Sequence, residues 1–403
     1  MKICGIIAEY NPFHNGHLHH IREAKALSGA DYTVCVMSGN FTQRGEPAIF
    51  DKWIRAEAAL AGGADIVAEL PLLSALQSAE GFARGGVRLL NALGADCISF
   101  GSETADARLF YRAAELLAGE SGDFKALLKQ YLKSGESYPY ARLKAAGDIL
   151  GFTEEESRIL CSPNAILALE YVKAIIETGS KMEPYIVSRK GSSYNETILE
   201  GALSSATAIR NALLSGGFSA EAAKALPAAS LEVLKKHAES GFMPVSLADL
   251  GPYAVYALRK GGIPLLRSLY EISEGLEHRF YAAARRFDEA GSIIAAVKTK
   301  RYTYTRLSRI LMYALLGITR EDIASFNASD IPCVRILGVR EESQAALSEI
   351  CRRSKSPVLT SPGKWEREKL RFEALASDIY ALTQKKAPYN RTGRDFKQKF
   401  LKV

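Results

Sequence analysis

No stretch of this chain approaches the roughly 18 uninterrupted apolar residues that a membrane-spanning helix requires, and no membrane partner is expected. A secretory signal is missing too: the first apolar run stops at Glu9, and no small-residue cleavage site follows. Cysteine is scarce. The six, Cys4, Cys35, Cys97, Cys161, Cys333 and Cys351, are scattered without a C-x-x-C pair, which argues against a disulfide framework and a zinc site. Buried free thiols in a cytoplasmic protein, with no bound transition metal, are the expectation. Repeats, low-complexity segments, the G-x-G-x-x-G dinucleotide fingerprint and the G-x-x-x-x-G-K-S/T phosphate loop are also lacking.

What is there is ample for two domains, perhaps a third: 403 residues, 47% hydrophobic and 24% charged. The net charge of +7 is unevenly spread. Residues 1–220 carry 21 Lys+Arg against 25 Asp+Glu, whereas 221–403 carry 31 against 20. A near-neutral half followed by a basic half suggests that the second meets a polyanion.

Residues 2–8 read as a buried strand, 16–28 as a helix, and the β-branched run 32–37 as a second strand. Asp51 caps a helix to Ala61, and 65–70 forms a short third strand ending at Pro71. A helix over 77–93 leads to a fourth strand, 96–100. This alternation predicts a parallel sheet with helices on both faces. Helices follow at 104–118, 123–133, 138–149 and 162–178, then a fifth strand at 182–188 and a helix at 205–214. The first domain therefore spans 1–220, with a helical insertion near 104–160. Beyond it, 218–239, 264–290, 303–316 and 340–353 are helical in period, with breaks at 251–252 and 261–264. Cys333 to Gly338 reads as a strand or a turn. The second domain, 221–403, is expected to be mainly α.

Four of the six histidines fall between positions 14 and 20, directly after the first strand. A strand ending in a tight loop that opens a helix turns backbone N–H groups and a positive dipole end toward one spot, which suits phosphate. In open parallel sheets ligands bind beyond the carboxyl ends of the strands, where the strand order reverses. With the order 3-2-1-4-5, the histidine loop and Phe100-Gly101-Ser102-Glu103 face each other across one crevice. The second strand is followed by a long polar loop, 38–47, whose Asn40, Gln43, Arg44 and Glu46 make it a candidate substrate loop. Lys52 and Arg55, on the next helix, either reach phosphate or lie on the surface.

His14-Asn15-Gly16-His17 matches H-x-G-H, the signature of the nucleotidyltransferase superfamily that includes class I aminoacyl-tRNA synthetases, and its place after a first strand strengthens the likeness. Ser204-Ser205-Ala206-Thr207-Ala208-Ile209-Arg210 resembles the S-x-T-x-x-R segment that follows the last strand in many adenylyltransferases. The resemblance implies a Rossmann-like α/β nucleotidyltransferase domain. In it, His14 and His17 are catalytic: they hold the triphosphate and stabilise charge building on it. Thr207 and Arg210 reach the outer phosphates at another helix N-terminus.

The segments Asn11 to His17, Ser38 to Ala48, Phe100 to Glu103 and Ser162-Pro163-Asn164-Ala165-Ile166-Leu167 narrow the likeness. Together with Lys298-Thr299-Lys300-Arg301-Tyr302-Thr303 and Arg306-Leu307-Ser308-Arg309, they resemble the bacterial tRNA(Met) cytidine acetate ligase family over essentially the whole chain. The resemblance implies activation of acetate by ATP to acetyl-adenylate and pyrophosphate, with Mg²⁺ on the triphosphate. The acetyl group then passes to N4 of the wobble cytidine of elongator tRNA(Met). It also implies an ATP site made of Ile7, Ala8, Glu9, Tyr10, Asn11, Pro12 and Phe13, of His14, Asn15, Gly16 and His17, of Leu18, His19 and His20, and of Gly101, Asn164 and Arg189. Residue spacing puts at least one of His19 and His20 on the helix surface and gives neither a part in the chemistry.

A carboxylate is already ionised near neutral pH, so acetate activation needs no general base, and no Ser/His/Asp triad is required. Lys298, Lys300, Arg301, Arg306 and Arg309, interleaved with Tyr302 and Tyr304, form a candidate tRNA-binding cluster in which cations meet phosphates and rings stack on unpaired bases. The basic run from Lys385 to Lys402 is either a second contact or a solvated tail. Two other functions compete: adenylyl transfer to a small phosphorylated acceptor, and non-catalytic RNA binding with a retained nucleotide pocket. The basic half argues against the first and the paired motifs against the second.

Overall fold

The computed structural model describes residues 1–188 and 204–403. Strands and helices alternate first: β1 (Ile3–Ala8), α1 (Asn15–Ser28), β2 (Tyr32–Ser38), α2 (Lys52–Ala61), β3 (Ile66–Leu70), α3 (Leu72–Ala75), α4 (Ala79–Leu93) and β4 (Cys97–Ser102). The helices α5 (Ala107–Gly119), α6 (Gly122–Lys133), α7 (Tyr138–Leu150) and α8 (Glu154–Leu160) then precede α9 (Pro163–Glu177), β5 (Glu183–Ser188) and α10 (Ala206–Gly216). Seven helices come next: α11 (Ala220–Lys224), α12 (Ala228–Glu239), α13 (Leu247–Ser268), α14 (Leu276–Arg286), α15 (Ala290–Val297), α16 (Tyr304–Leu316) and α17 (Arg320–Ala328). The chain ends with β6 (Val334–Val339), α18 (Gln344–Arg353), β7 (Val358–Leu359), α19 (Arg371–Ala381), α20 (Arg394–Lys397) and β8 (Leu401–Lys402).

The sheet runs β5-β4-β1-β2-β3-β6-β7, with β8 also paired to β6. Strands β1 to β5 are mutually parallel in the expected 3-2-1-4-5 order, so the order reverses between β1 and β4. Alternate side chains feed two cores. Ile3, Ile7, Val34 and Val36 pack under α4, α5 and α9, while Cys4, Ile6, Cys35 and Met37 pack under α1 and α2. Asp51 caps α2 as expected, its Oδ1 accepting from the Trp53 and Ile54 amides at 2.9 Å.

The second half is less separate than its composition implies. Val334–Val339 is a strand, buried throughout and antiparallel to β3, so the C-terminal half supplies one edge of the sheet. Helix α12 also lies on α2, where Ser230 Oγ donates to the Ala58 carbonyl at 2.7 Å. Helices α13 to α17 and α19 form their own core, which takes in Leu72, Leu73 and Leu76 around α3 and Phe41 from loop 38–47. The expected break at 251–252 does not occur, and Pro252 is absorbed into α13; the break at 261–264 does, where Gly262 at φ +56° precedes Pro264. The expected 264–290 helix is interrupted between Ser268 and Leu276. Four thiols are buried, but Cys161, at the C-terminal end of α8, is half-buried and Cys351, on α18, is exposed. Among the described residues, no single helix is long and apolar enough to cross a membrane.

Candidate active site

Where the strand order reverses, the carboxyl ends of β1 and β4 open into a cleft of about 230 Å³. Its walls come from the histidine loop, the end of β4, the first turns of α9 and α10, the end of β5, and Gln43 and Arg44 of loop 38–47. A larger cavity, about 570 Å³, lies between β3, β6, α17 and α19, and none of the conspicuous motifs reaches it.

The histidine loop is built around its own helix cap. His14 is the N-cap of α1, and its Nδ1 accepts from the Gly16 amide at 3.1 Å. His17 Nδ1 accepts from the His14 amide at 3.2 Å, closing a reciprocal capping box in which imidazoles replace the usual Ser and Glu. The rings stack with centroids 3.7 Å apart. Because both Nδ1 atoms accept, the neutral rings carry their hydrogens on Nε2. Gly16 is required: a Cβ there would lie 2.9 Å from His14 Cε1. Behind the pair, the buried rings of Tyr10 and Phe13 stand 4.8 and 5.7 Å from the His17 ring, and the Tyr10 hydroxyl donates to Cys35 Sγ at 3.1 Å.

Of the residues expected in the site, Ile7 to Asn11, His14, Gly16, His17, His19, His20, Gly101, Asn164, Thr207, Arg210, Gln43 and Arg44 meet in this cleft. His19 and His20 both line it, although spacing gave neither a part. The Nε2 of His20 lies 3.1 Å from Ser99 Oγ, which ties α1 to β4. Pro12, Phe13, Asn15 and Leu18 do not line it. Phe13 is fully buried in the core, and Asn15 donates to the Lys224 and Ala225 carbonyls, securing α1 to α11. Arg189 lies outside the described residues.

Opposite the histidines, Glu103 organises the start of α9. Its two oxygens accept from Ser162 Oγ and Asn164 Nδ2, each at 2.6 Å. Ser205 caps α10, and Arg210 donates to Thr207 Oγ1 at 3.1 Å and to the Asn11 carbonyl at 3.0 Å. The S-x-T-x-x-R helix is thereby fastened to the histidine loop. Phe82, Phe100, Leu167, Tyr171 and Val187 supply the cleft's apolar lining, with the Phe100 and Tyr171 rings 5.4 Å apart. Leu167 and Tyr171 stand three and seven residues after Asn164, the spacing of one helix face, so that period was the available signal.

Loop 38–47 divides its residues. Glu9 Oε1 accepts from the Gln43 amide at 2.9 Å, and Ser308 Oγ of α16 donates to the Gly45 carbonyl at 2.7 Å. Gly45 has φ +78°, and a Cβ there would collide with the Arg309 backbone. Burial pushes the Glu46 carboxyl up, against the pull of Arg210 and Arg44. Asn40 is not a cleft residue: it is buried, accepts from the Lys52 amide at 2.7 Å and donates to Ser377 Oγ at 3.0 Å.

Three cations are corrected in the same way. Lys52 is fully buried between Glu69, at 2.7 Å, and Asp395, at 2.5 Å. Arg55, also fully buried and pushed down by burial to about 10, donates to the carbonyls of Phe50, Glu9, Ser38 and Gly39 and braces the ends of β1 and β2. Arg309 is buried against Glu271, its Nε and Nη2 pairing at 2.9 and 2.7 Å, and Nη1 donates to the Gln43 carbonyl at 3.2 Å. It braces loop 38–47 and does not face an external phosphate. Arg306 is half-buried on the Glu271 carbonyl and Ser273, whereas Lys298, Lys300 and Arg301 are exposed. In the terminal basic run, Arg394 is paired with Asp51, while Lys385, Lys386, Arg391, Lys397, Lys399 and Lys402 are exposed.

Comparison with known proteins follows the same lines. A family model described as HIGH Nucleotidyl Transferase matches residues 1–395. A protein named tRNA(Met) cytidine acetate ligase from Acetivibrio thermocellus is 39% identical over 416 residues, covering 100% of both chains. Its namesake in Thermoanaerobacter pseudethanolicus is 40% identical over 410 residues, again covering 100% of both. The crystal structure of Thermotoga maritima TmcAL bound with alpha-thio ATP superposes with a TM-score of 0.93 at 33% identity over 100% of each chain. The chain therefore belongs to the HIGH nucleotidyltransferase family and, within it, to the tRNA(Met) cytidine acetate ligases.

Proposed function

We propose that this protein is an ATP-dependent ligase that joins acetate to N4 of the wobble cytidine of elongator tRNA(Met). One observation carries the reading: a single cleft at the strand-order reversal is lined both by the apolar side chains Phe82, Phe100, Leu167, Tyr171 and Val187 and by His14, His17, Thr207 and Arg210. The apolar side chains suit adenine, with Asn164 on the same helix as Leu167 and Tyr171. The first turns of α1 and α10, with the Arg210 guanidinium, suit a triphosphate. The Thermotoga maritima relative holds an ATP analogue, which supports ATP as the nucleotide here.

In the first step an acetate oxygen attacks the α-phosphorus, forming the acyl–phosphate bond as the bond to pyrophosphate breaks. The Nε2–H groups of His14 and His17 donate to oxygens that gain charge, and Arg210 neutralises the leaving group. Mg²⁺ enters with the triphosphate as part of the substrate. Among the described residues, no three His, Cys, Asp or Glu side chains converge as a metal site. In the second step the N4 amine attacks the acetyl carbon, AMP leaves, and N4 loses one proton. Gln43 and Arg44 stand on the side of the cleft where this base enters. The basic half, 221–403, receives the tRNA through Lys298, Lys300 and Arg301, and we assign the reaction to the cytoplasm.

The names of the relatives favour this over adenylyl transfer to a small acceptor or catalytically silent RNA binding. Exchange of labelled pyrophosphate into ATP tests it. Exchange that depends on acetate is expected; exchange without acetate, or none at all, contradicts it.

A further inference from the structure

Two tyrosines in the basic segment look equivalent in sequence, and the structure separates them. Tyr302 is 5% exposed; its hydroxyl donates to Glu274 at 3.0 Å, and the Arg306 guanidinium lies 5.3 Å from its ring. That ring is part of the packing. Tyr304 is 40% exposed at the first turn of α16.

Tyr304 also stands on the helix that holds loop 38–47. Ser308, four residues on and therefore on the same helix face, holds the Gly45 carbonyl. The loop lies so flush on α16 that no side chain fits at Gly45. One turn nearer solvent, Tyr304 flanks the same loop, and its phenol is pushed up by burial and by the neighbouring Glu46 carboxylate. Two residues of that loop, Gln43 and Arg44, form cleft wall. The exposed cations Lys298, Lys300 and Arg301 precede Tyr304 closely in the chain. An exposed ring on the helix that holds a cleft-wall loop, within six residues of three exposed cations, has the composition of a base-stacking platform.

We propose that Tyr304 is the surface on which an unpaired base of the tRNA anticodon loop stacks while the target cytidine is presented to acetyl-adenylate. The assignment rests on the ligase reading above. It concerns the second step alone, since the tRNA takes no part in the first.

The test uses the full chain with Tyr304→Phe, Tyr304→Leu and Tyr304→Ala, and reads acetate-dependent pyrophosphate exchange beside acetylation of tRNA(Met) transcript at varied tRNA. Phe keeps the stacking face, so its kcat/KM for tRNA stays within about threefold of wild type. Leu and Ala lose about ten- to a hundredfold, while all three exchange pyrophosphate as wild type does. An anticodon stem-loop carrying 2-aminopurine is quenched on binding wild type and Tyr304→Phe, but not Tyr304→Leu. Unchanged kcat/KM in Leu and Ala, or exchange falling in parallel with transfer, overturns the assignment: the ring would be irrelevant or merely a prop for loop 38–47. A wild-type enzyme without acetate-dependent exchange overturns the ligase reading and this assignment together.

Discussion

His14 and His17 hold each other in place: the His14 amide donates to the His17 ring at 3.2 Å, and the two rings stack 3.7 Å apart. The motif is therefore a helix cap as well as a phosphate site. Replacing either histidine by Ala is expected to lower acetate-dependent pyrophosphate exchange about a hundred- to a thousandfold. Gly16→Ala, which adds a methyl against the His14 ring, should lower it about ten- to a hundredfold without removing a donor. Exchange assays on the three variants check both.

Glu103 touches Ser162 and Asn164 and sets the amide of Asn164 at the cleft wall. In Glu103→Ala this amide loses its orientation. The KM for ATP should rise about tenfold with kcat nearly unchanged, as steady-state exchange at varied ATP will show.

The buried trio Lys52, Glu69 and Asp395 joins α2, β3 and α20. Lys52→Met would strand two carboxylates and should cost about 3–5 kcal/mol in urea unfolding. Burial pushes the Glu69 carboxyl up to about 7, with Lys52 opposing. The folded protein thus binds this proton more tightly than the unfolded chain does. The contribution is present below the ordinary carboxylate value and is lost as pH rises to about 7. Glu69→Gln should flatten that decline when urea midpoints are compared across the range.

Lys298 and Lys300 are exposed, whereas Arg309 is locked to Glu271. Replacing either lysine by Ala should weaken tRNA binding and reduce the slope of log affinity against log salt by about 0.7 per cation. Arg309→Met should instead destabilise the fold and loosen loop 38–47. Filter binding across a salt series, beside thermal unfolding, separates the two effects.

The parallel order of β1 to β5 and the meeting of the histidine loop with Gly101 were legible because period and position suffice for both. Strands β1 and β2 are nearly continuous apolar runs, and the H-x-G-H tetrapeptide falls at a strand-to-helix turn. Lys52, Arg55 and Arg309 were not legible. A cation reads as surface unless its partners are known, and theirs leave no mark in the local sequence: Asp395 for Lys52, four backbone carbonyls for Arg55, Glu271 for Arg309. The strand at 334–339 was ambiguous for a related reason. Its burial depends on β3, far away in the sequence. Tyr302 and Tyr304 differ only in what packs on them, which spacing does not reveal.

The most direct measurement is mass spectrometry of nucleosides from elongator tRNA(Met) incubated with the protein, ATP and isotope-labelled acetate. The account predicts N4-acetylcytidine carrying the label at the wobble position, and none in a His14→Ala or ATP-free reaction. Unmodified cytidine with the wild-type protein, or label elsewhere in the tRNA, would contradict it.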